Sequence, residues 1–493
     1  MDNKVRMVAR SGLVFLLILL AVLPFVSVPI PPMTDFCQHV MVAHVLNHYR
    51  DIDLNYREFF DVSYSTAPTM LAYVWLSFLQ RMSGPFTGGK IYLVFFVLTL
   101  WISQWFYLKK LKIEDPSIIA LASLPLAFSW YVYMGYMPFI MTLPLYLFLL
   151  GWWMSRPSSF LRSAVAGIIL IVTYGFHVVG AAVGVFSILC PSVLPGVREK
   201  GVWRRWLTDV LALCPLFVFL VIYLKLGEGP NVIVTYREPI NTMKAFIGGT
   251  FGSLAEPVVW IGILGLGGFC ITVLYIIFKR RHNPSVLILS LSLCLIGLLM
   301  PNSLGSLWPA GPRLFPYAIL SGIGLLNLQR YGRRIFIVVI SVVMILMSFI
   351  TIDKSHEVSK EYKQILSGVS KIEYGKRLLP IFIEPHKGSR YTYPSLWVSV
   401  AYNIIRGGSQ PYVFASPYVK TNATPLKFKS YDAYGYAFLF KESVEAEEYR
   451  GVSDDYDYVL IWGEDPGIQS VIGAEMRLVY LNSPLKIYGQ KDQ

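Results

Sequence analysis

The first stretch of the chain able to do chemistry reads PPMTDFCQHVMVAHVLNHYR and holds Asp35, His39, His44 and His48. A carboxylate followed one helical turn later by a histidine offers a general base with a neighbour that orients or tunes it. The same four residues also spell a metal site, and helical geometry tests that reading. At helical spacing Asp35 and His39 share one face while His44 and His48 share a roughly opposite one, so a single helix cannot bring all four to one ion. A mononuclear centre here would need a ligand from elsewhere, such as His177. Asp35 with His39 is the better-motivated unit, although Asp35 also has a plain structural use as a helix cap or an arginine partner.

Four further places could serve the same chemistry. WYVYMGYMPF (130–139) interrupts two apolar runs with Gly135 and Pro138 and contains Tyr136, and TYGFH (173–177) contains Tyr174 and His177. Aromatics at such positions are either interfacial anchors or the lining of a groove for a sugar or isoprenoid. Arg313 in WPAGPRLFPY and Arg237 in the stretch with Lys244 stand where arginine is scarce. A guanidinium there either snorkels to headgroups or holds a phosphate by paired hydrogen bonds.

These residues need elements to position them, and composition says what kind. Of 493 residues, 55% are hydrophobic and 15% charged; a soluble chain carries about 25% charged residues. With a mean hydropathy of +0.53, the expected fold class is a polytopic α-helical membrane protein with a C-terminal extracytoplasmic α/β domain. Eleven spans are expected, at about 12–31, 90–108, 116–133, 137–154, 162–177, 178–195, 207–225, 256–278, 285–301, 313–329 and 335–352, with 12 or 13 as alternatives. The run 68–82 is too short as a helix for a bilayer core of about 30 Å and is expected to be re-entrant or interfacial. The N-terminal run 13–30 follows a basic segment but precedes no small-residue cleavage site, so it reads as a retained first span.

Charge gives the orientation. The tail 353–493 is balanced, with 17 basic and 17 acidic residues, so the net +13 belongs entirely to 1–352. Its basic residues cluster at 4–10, 109–112, 156–162, 198–205, 279–281 and 330–334. With the N-terminus cytoplasmic and 68–82 not crossing, all six clusters fall inside, which is the positive-inside pattern rather than a nucleic-acid footprint. The first outer loop (32–89), the other outer loops and the tail then share the opposite face, so Asp35, Tyr136, His177 and Arg313 are expected to line one outer cavity. Two domains follow: a transmembrane unit, 1–352, and an outer α/β unit, 353–493, with strands at 378–384, 457–462, 477–481 and 485–488 and a helix at 395–406 closed by Gly407-Gly408.

Absences narrow the function further. The spans hold almost no ionisable residues away from their ends, so an ion-coupled transporter or proton relay lacks its parts. No Walker A, GxSxG or HExxH sequence occurs, and the five cysteines imply no disulfide framework.

Taken together, PPMTDFCQHV, FFDVSYSTAP, MGYMPF, TYGFH, RLFPY and YDYVLIWG resemble the bacterial GT-C class, membrane-embedded glycosyltransferases that use polyprenyl-phosphate-linked sugars. The resemblance implies a multi-pass protein of the bacterial inner membrane whose first-loop aspartate, Asp35, is the catalytic base, with His39 beside it. It implies that Arg313 binds the donor phosphate; Arg237 is then a second candidate cation for it, and Tyr136, Tyr174 and His177 are the candidate groove residues. Metal-dependent members use a second acidic motif; Glu58 and Asp61 are the only acids near that place and no adjacent acidic pair exists, so a divalent cofactor has no evident holder. The implied partners are a polyprenyl-phosphate-linked sugar, a glycan, lipid or protein acceptor, and membrane lipids, with no nucleic acid. The other reading is a non-catalytic membrane component for lipid-linked glycan transport or assembly, which has no use for Asp35.

The orientation is directly testable. Cysteines placed at Ser83 and Lys354 should both react with an impermeant thiol reagent added from outside the cell; protection of the Lys354 position would overturn the outer-face assignment.

Overall fold

The computed structural model describes residues 3–62, 68–155, 159–193, 250–279, 283–304, 309–383, 392–415, 424–430, 434 and 444–491, with isolated positions between 210 and 247. The fold is mostly helical. Five described helices are long and apolar enough to cross a membrane, Val8–Val26, Pro85–Lys110, Met137–Met154, Glu256–Phe278 and Arg330–Val369, and four shorter apolar ones are Pro116–Phe128, Phe160–Phe176, Val178–Cys190 and Pro284–Leu299. The expected segment 207–225 lies outside the described residues, apart from a helical Val210. Pro85–Lys110 sits at the centre, packed on Met70–Ser83, on Thr142–Met154 and on the first helix. Met70–Ser83 has 14 residues, a rise of about 21 Å.

Two expected spans are not regular helices. Pro116–Ile119 passes into the 3₁₀ segment Ala120–Phe128, which contains Pro125. The 313–329 region is a 3₁₀ turn Gly311–Leu314, a short helix Phe315–Gly322 and another 3₁₀ turn Ile323–Leu325. Pro312 and Pro316 remove backbone donors, and Gly322 and Gly324 weaken helix propensity. Carbonyls freed inside an apolar environment must find donors. The hydroxyl of Tyr131 donates to Pro312 O, Gln104 Nε2 to Leu320 O at 3.3 Å and the Tyr107 hydroxyl to Ser321 O at 3.2 Å.

Arg330–Val369 is a single helix of 40 residues, about 60 Å long. The change of unit expected at residue 353 therefore falls inside an unbroken helix, because no glycine or proline interrupts it between Gly332 and Gly368. Its far end packs on a four-stranded sheet in which Leu378–Phe382 lies beside Tyr458–Trp462, then Leu485–Gln490, then Met476–Asn482. The first pair is parallel, with Leu378 opposite Tyr458, and the other two are antiparallel. The expected helix 395–406 forms as a 3₁₀ turn Val398–Val400 running into Ala401–Arg406, and Gly407 ends it at φ +74. A side chain at Gly407 would also meet the backbone of Leu54 at 2.3 Å.

That close approach belongs to a wider join between the first loop and the tail. Phe60–Val62 pairs antiparallel with Leu426–Phe428, and Gly408 N donates to Leu54 O at 2.8 Å. Gln38, wholly buried, donates Nε2 to Tyr412 O and accepts from Phe414 N at 3.1 Å. Its amide thus replaces the missing strand partner of the 412–414 segment. Gln38→Leu should leave a buried backbone donor and acceptor unpaired, each costing about 1–3 kcal/mol; a clearly lower unfolding temperature in detergent is expected, and an unchanged one would show that the join does not depend on Gln38.

Candidate functional site

Asp35 is placed by a backbone turn rather than by its own side chain. Thr34 N donates to Tyr133 O and Asp35 N to Met134 O, both at 2.9 Å. The turn is completed by Gly135 at φ +82, where a Cβ would lie 2.8 Å from Asp35 N; glycine alone supplies both the left-handed conformation and the room. Asp35 stands at the N-cap of Phe36–His48, yet its side chain makes no capping bond. The carboxylate, 8% exposed, turns to the indole of Trp397 and feels the charge of Arg313. Burial pushes its pKa up to about 7, with Arg313 and the Trp397 hydrogen bond pulling the other way. A carboxyl group at that value changes charge near neutrality, where a general base is most useful.

His39 lies one turn on, as the spacing predicts, but its ring bonds elsewhere. Nδ1 is 3.0 Å from the Tyr73 hydroxyl, and the ring also hydrogen-bonds the backbone of Gly135. Burial lowers its pKa to about 3, so the ring is neutral. His39 thus braces the Gly135 turn that carries Asp35, and does not itself bond the carboxylate. Phe414 of the tail packs edge-on against the ring at 5.1 Å.

Arg313, 7% exposed, sits in the 3₁₀ turn before Phe315–Gly322. Its Nη1 donates to His177 Nε2 at 2.8 Å, and the guanidinium lies over the rings of Tyr136 at 4.5 Å and Phe139 at 5.4 Å. Those three contacts fix the plane of the fork. Asp35, Tyr136, His177 and Arg313, drawn from four separated segments, thus form one electrostatically linked group.

Other expected members fall outside this group. Tyr174 packs in a separate apolar cluster with Leu149, Trp153, Leu170 and Ile188, because the helix Phe160–Phe176 ends before His177, whose extended backbone takes its ring off the helix face that carries Tyr174. Arg237 lies outside the described residues. His44 and His48 stack on each other at 4.3 Å, away from Asp35, and among the described residues no three His, Cys, Asp or Glu side chains are grouped to hold a metal. An open cleft of about 440 Å³ is walled by Asn55, Glu58, Arg377 and Asp454 to Asp457, not by the Asp35 group. The tail residues Trp397 and Phe414 pack where the expected cavity would open. Trp397 and Tyr73 were not foreseeable as partners of Asp35 and His39, since neither stands in a motif.

The fold is that of ArnT, a membrane-embedded GT-C glycosyltransferase. Solved structures that it resembles include two of ArnT from Cupriavidus metallidurans. The undecaprenyl phosphate-bound form superposes with a TM-score of 0.60 at 10% identity over 100% of both chains. The apo form gives 0.55 at 10% identity, covering 98% of this chain and 100% of that one. No family model and no curated protein matches the sequence. At this identity the likeness concerns the fold, and residue roles rest on the geometry above.

The environment of Asp35 has a consequence for stability. Its folded-state pKa, about 7, lies above the ordinary carboxylate value of about 4, so its contribution is full below pH 4 and is lost as pH rises through 7. The unfolding temperature of the wild type should fall relative to Asp35→Asn across that window. Parallel curves would mean that the carboxylate is solvated.

Proposed function

We propose that the protein is a bacterial inner-membrane glycosyltransferase that moves a sugar from a polyprenyl-phosphate donor to an extracytoplasmic acceptor: a glycan, a lipid or a protein. The observation that carries this reading is a buried carboxylate with a pKa of about 7 in one group with a buried, oriented guanidinium, set in a fold shared with a protein crystallised with undecaprenyl phosphate.

In the proposed reaction an acceptor hydroxyl attacks the anomeric carbon and the bond from that carbon to the phosphate oxygen breaks. The hydroxyl proton passes to Asp35, and the lipid phosphate leaves with its negative charge facing Arg313. Anion and guanidinium need no reorganisation at that moment, since His177 and the Tyr136 ring already hold the fork. Trp397 and Arg313 stabilise the ionised base, while burial keeps it basic enough to take a proton. His39 serves as a positioning residue through Gly135. Residues 1–352 form the membrane unit and 353–493 an outer unit that closes over the base from above. The donor brings its own activation, so neither nucleotide nor metal is required.

An assay with a polyprenyl-phosphate sugar and full-length protein tests the reading. Asp35→Asn should lower turnover by about 10²- to 10⁴-fold, with wild-type activity rising as pH climbs through about 7. Arg313→Ala should weaken donor binding as well as turnover, because the phosphate is present in ground and transition states. Full activity of Asp35→Asn would reject the mechanism.

A further inference from the structure

On the face opposite Asp35, a cleft of about 380 Å³ opens between the starts of the first and last long helices. Four arginines line it, Arg10, Arg330, Arg333 and Arg334, over a floor that includes Ile118 and Ile337. Asp115 accounts for part of this charge: it pairs with Arg10 at 2.9 Å and with Arg333 at 2.6 Å, and Glu114 reaches Arg333 at 3.2 Å. Arg330 and Arg334 are exposed and have no acidic partner among the described residues.

The local helix makes this surplus costly. Arg330, Arg333 and Arg334 stand in the opening turns of Arg330–Val369, whose first turn holds no acid and whose N-cap, Gln329, makes no side-chain cap bond. Cations at a helix N-terminus oppose its macrodipole, and the first N–H groups there lack helical partners. An anion in the cleft would answer both. The walls say what kind of anion, for the helices flanking the cleft carry Phe15, Tyr331, Ile335 and Val338 on their exposed sides. A ligand with a phosphodiester head and acyl chains matches charge and walls together, whereas a free phosphate matches only the charge. We propose that this cleft is a binding site for the headgroup of an anionic phospholipid in the leaflet opposite the Asp35 face. The site is independent of the transfer reaction and stands whether or not that reading holds.

The test uses full-length protein in neutral detergent, titrated with phosphatidylglycerol, phosphatidylcholine or inorganic phosphate. Binding is read by the rise in unfolding temperature and by lipid retained in native mass spectrometry. Phosphatidylglycerol should bind and the other two should not. The Arg330→Gln/Arg334→Gln pair should weaken phosphatidylglycerol binding by about 30-fold, from about two surface charges lost. Lys109→Gln/Lys279→Gln, which removes the same charge from the same face outside the cleft, should leave it unchanged. If the arginine pair does not fold, each single change should give a smaller loss of the same sign. Equal weakening by both pairs, no weakening by the arginine changes, or an equal response to phosphatidylcholine or phosphate would overturn the proposal.

Discussion

The structure turns on a carboxylate held out of water with no ion pair among the described residues. Burying Asp35 is costly, and three devices share that cost: an indole donor from Trp397, the field of Arg313, and a pKa near neutrality that lets the charge be given up. A tighter ion pair would stabilise the charge more and make the carboxylate a weaker base. A drier pocket without Arg313 and Trp397 would leave it protonated. The position between these limits requires segments from residues 35, 135, 313 and 397 to be registered against one another, and much of the fold serves that registration.

The registration is achieved by breaking regular structure where the site needs it. The Gly135 turn and the 3₁₀ turn Gly311–Leu314 carry members of the group or its supports, and the chain is irregular again at Ala120–Phe128 and Ile323–Leu325. Each break frees backbone carbonyls, and buried side chains donate to them: Tyr92 to Met137, Tyr131 to Pro312, Tyr107 to Ser321 and Gln104 to Leu320. The many buried tyrosines are therefore more than apolar filling. Their rings fill the core while their hydroxyls make irregular backbone tolerable away from water.

Arginine plays two opposite parts at the two ends of the molecule. Arg313 is buried, and its plane is set by His177, Tyr136 and Phe139, which suits it to one directional contact. The arginines around Asp115 are partly paired and partly open, at a helix end that already carries positive potential. The helix Arg330–Val369 joins this charged end to the four-stranded sheet, so the sheet is mounted on a rigid rod rather than on a linker.

Local sequence determined what depends on local chemistry. Apolar runs marked most of the membrane helices, short apolar runs marked the four strands of the tail sheet, and one-turn spacing put His39 beside Asp35, because each signal is carried by neighbouring residues. The breaks at 311–325 were also written there, as Pro312, Pro316, Gly322 and Gly324, though hydropathy averaged over them. Tertiary structure decided what depends on distance in space. That Trp397 bonds Asp35, that His39 serves Gly135 instead of the carboxylate, that Tyr174 faces away while His177 meets Arg313, and that the tail packs against Asp35 all follow from side chains of segments up to some 360 residues apart in the chain. No local pattern encodes such meetings, because burial and electrostatic partnership are properties of the packed whole.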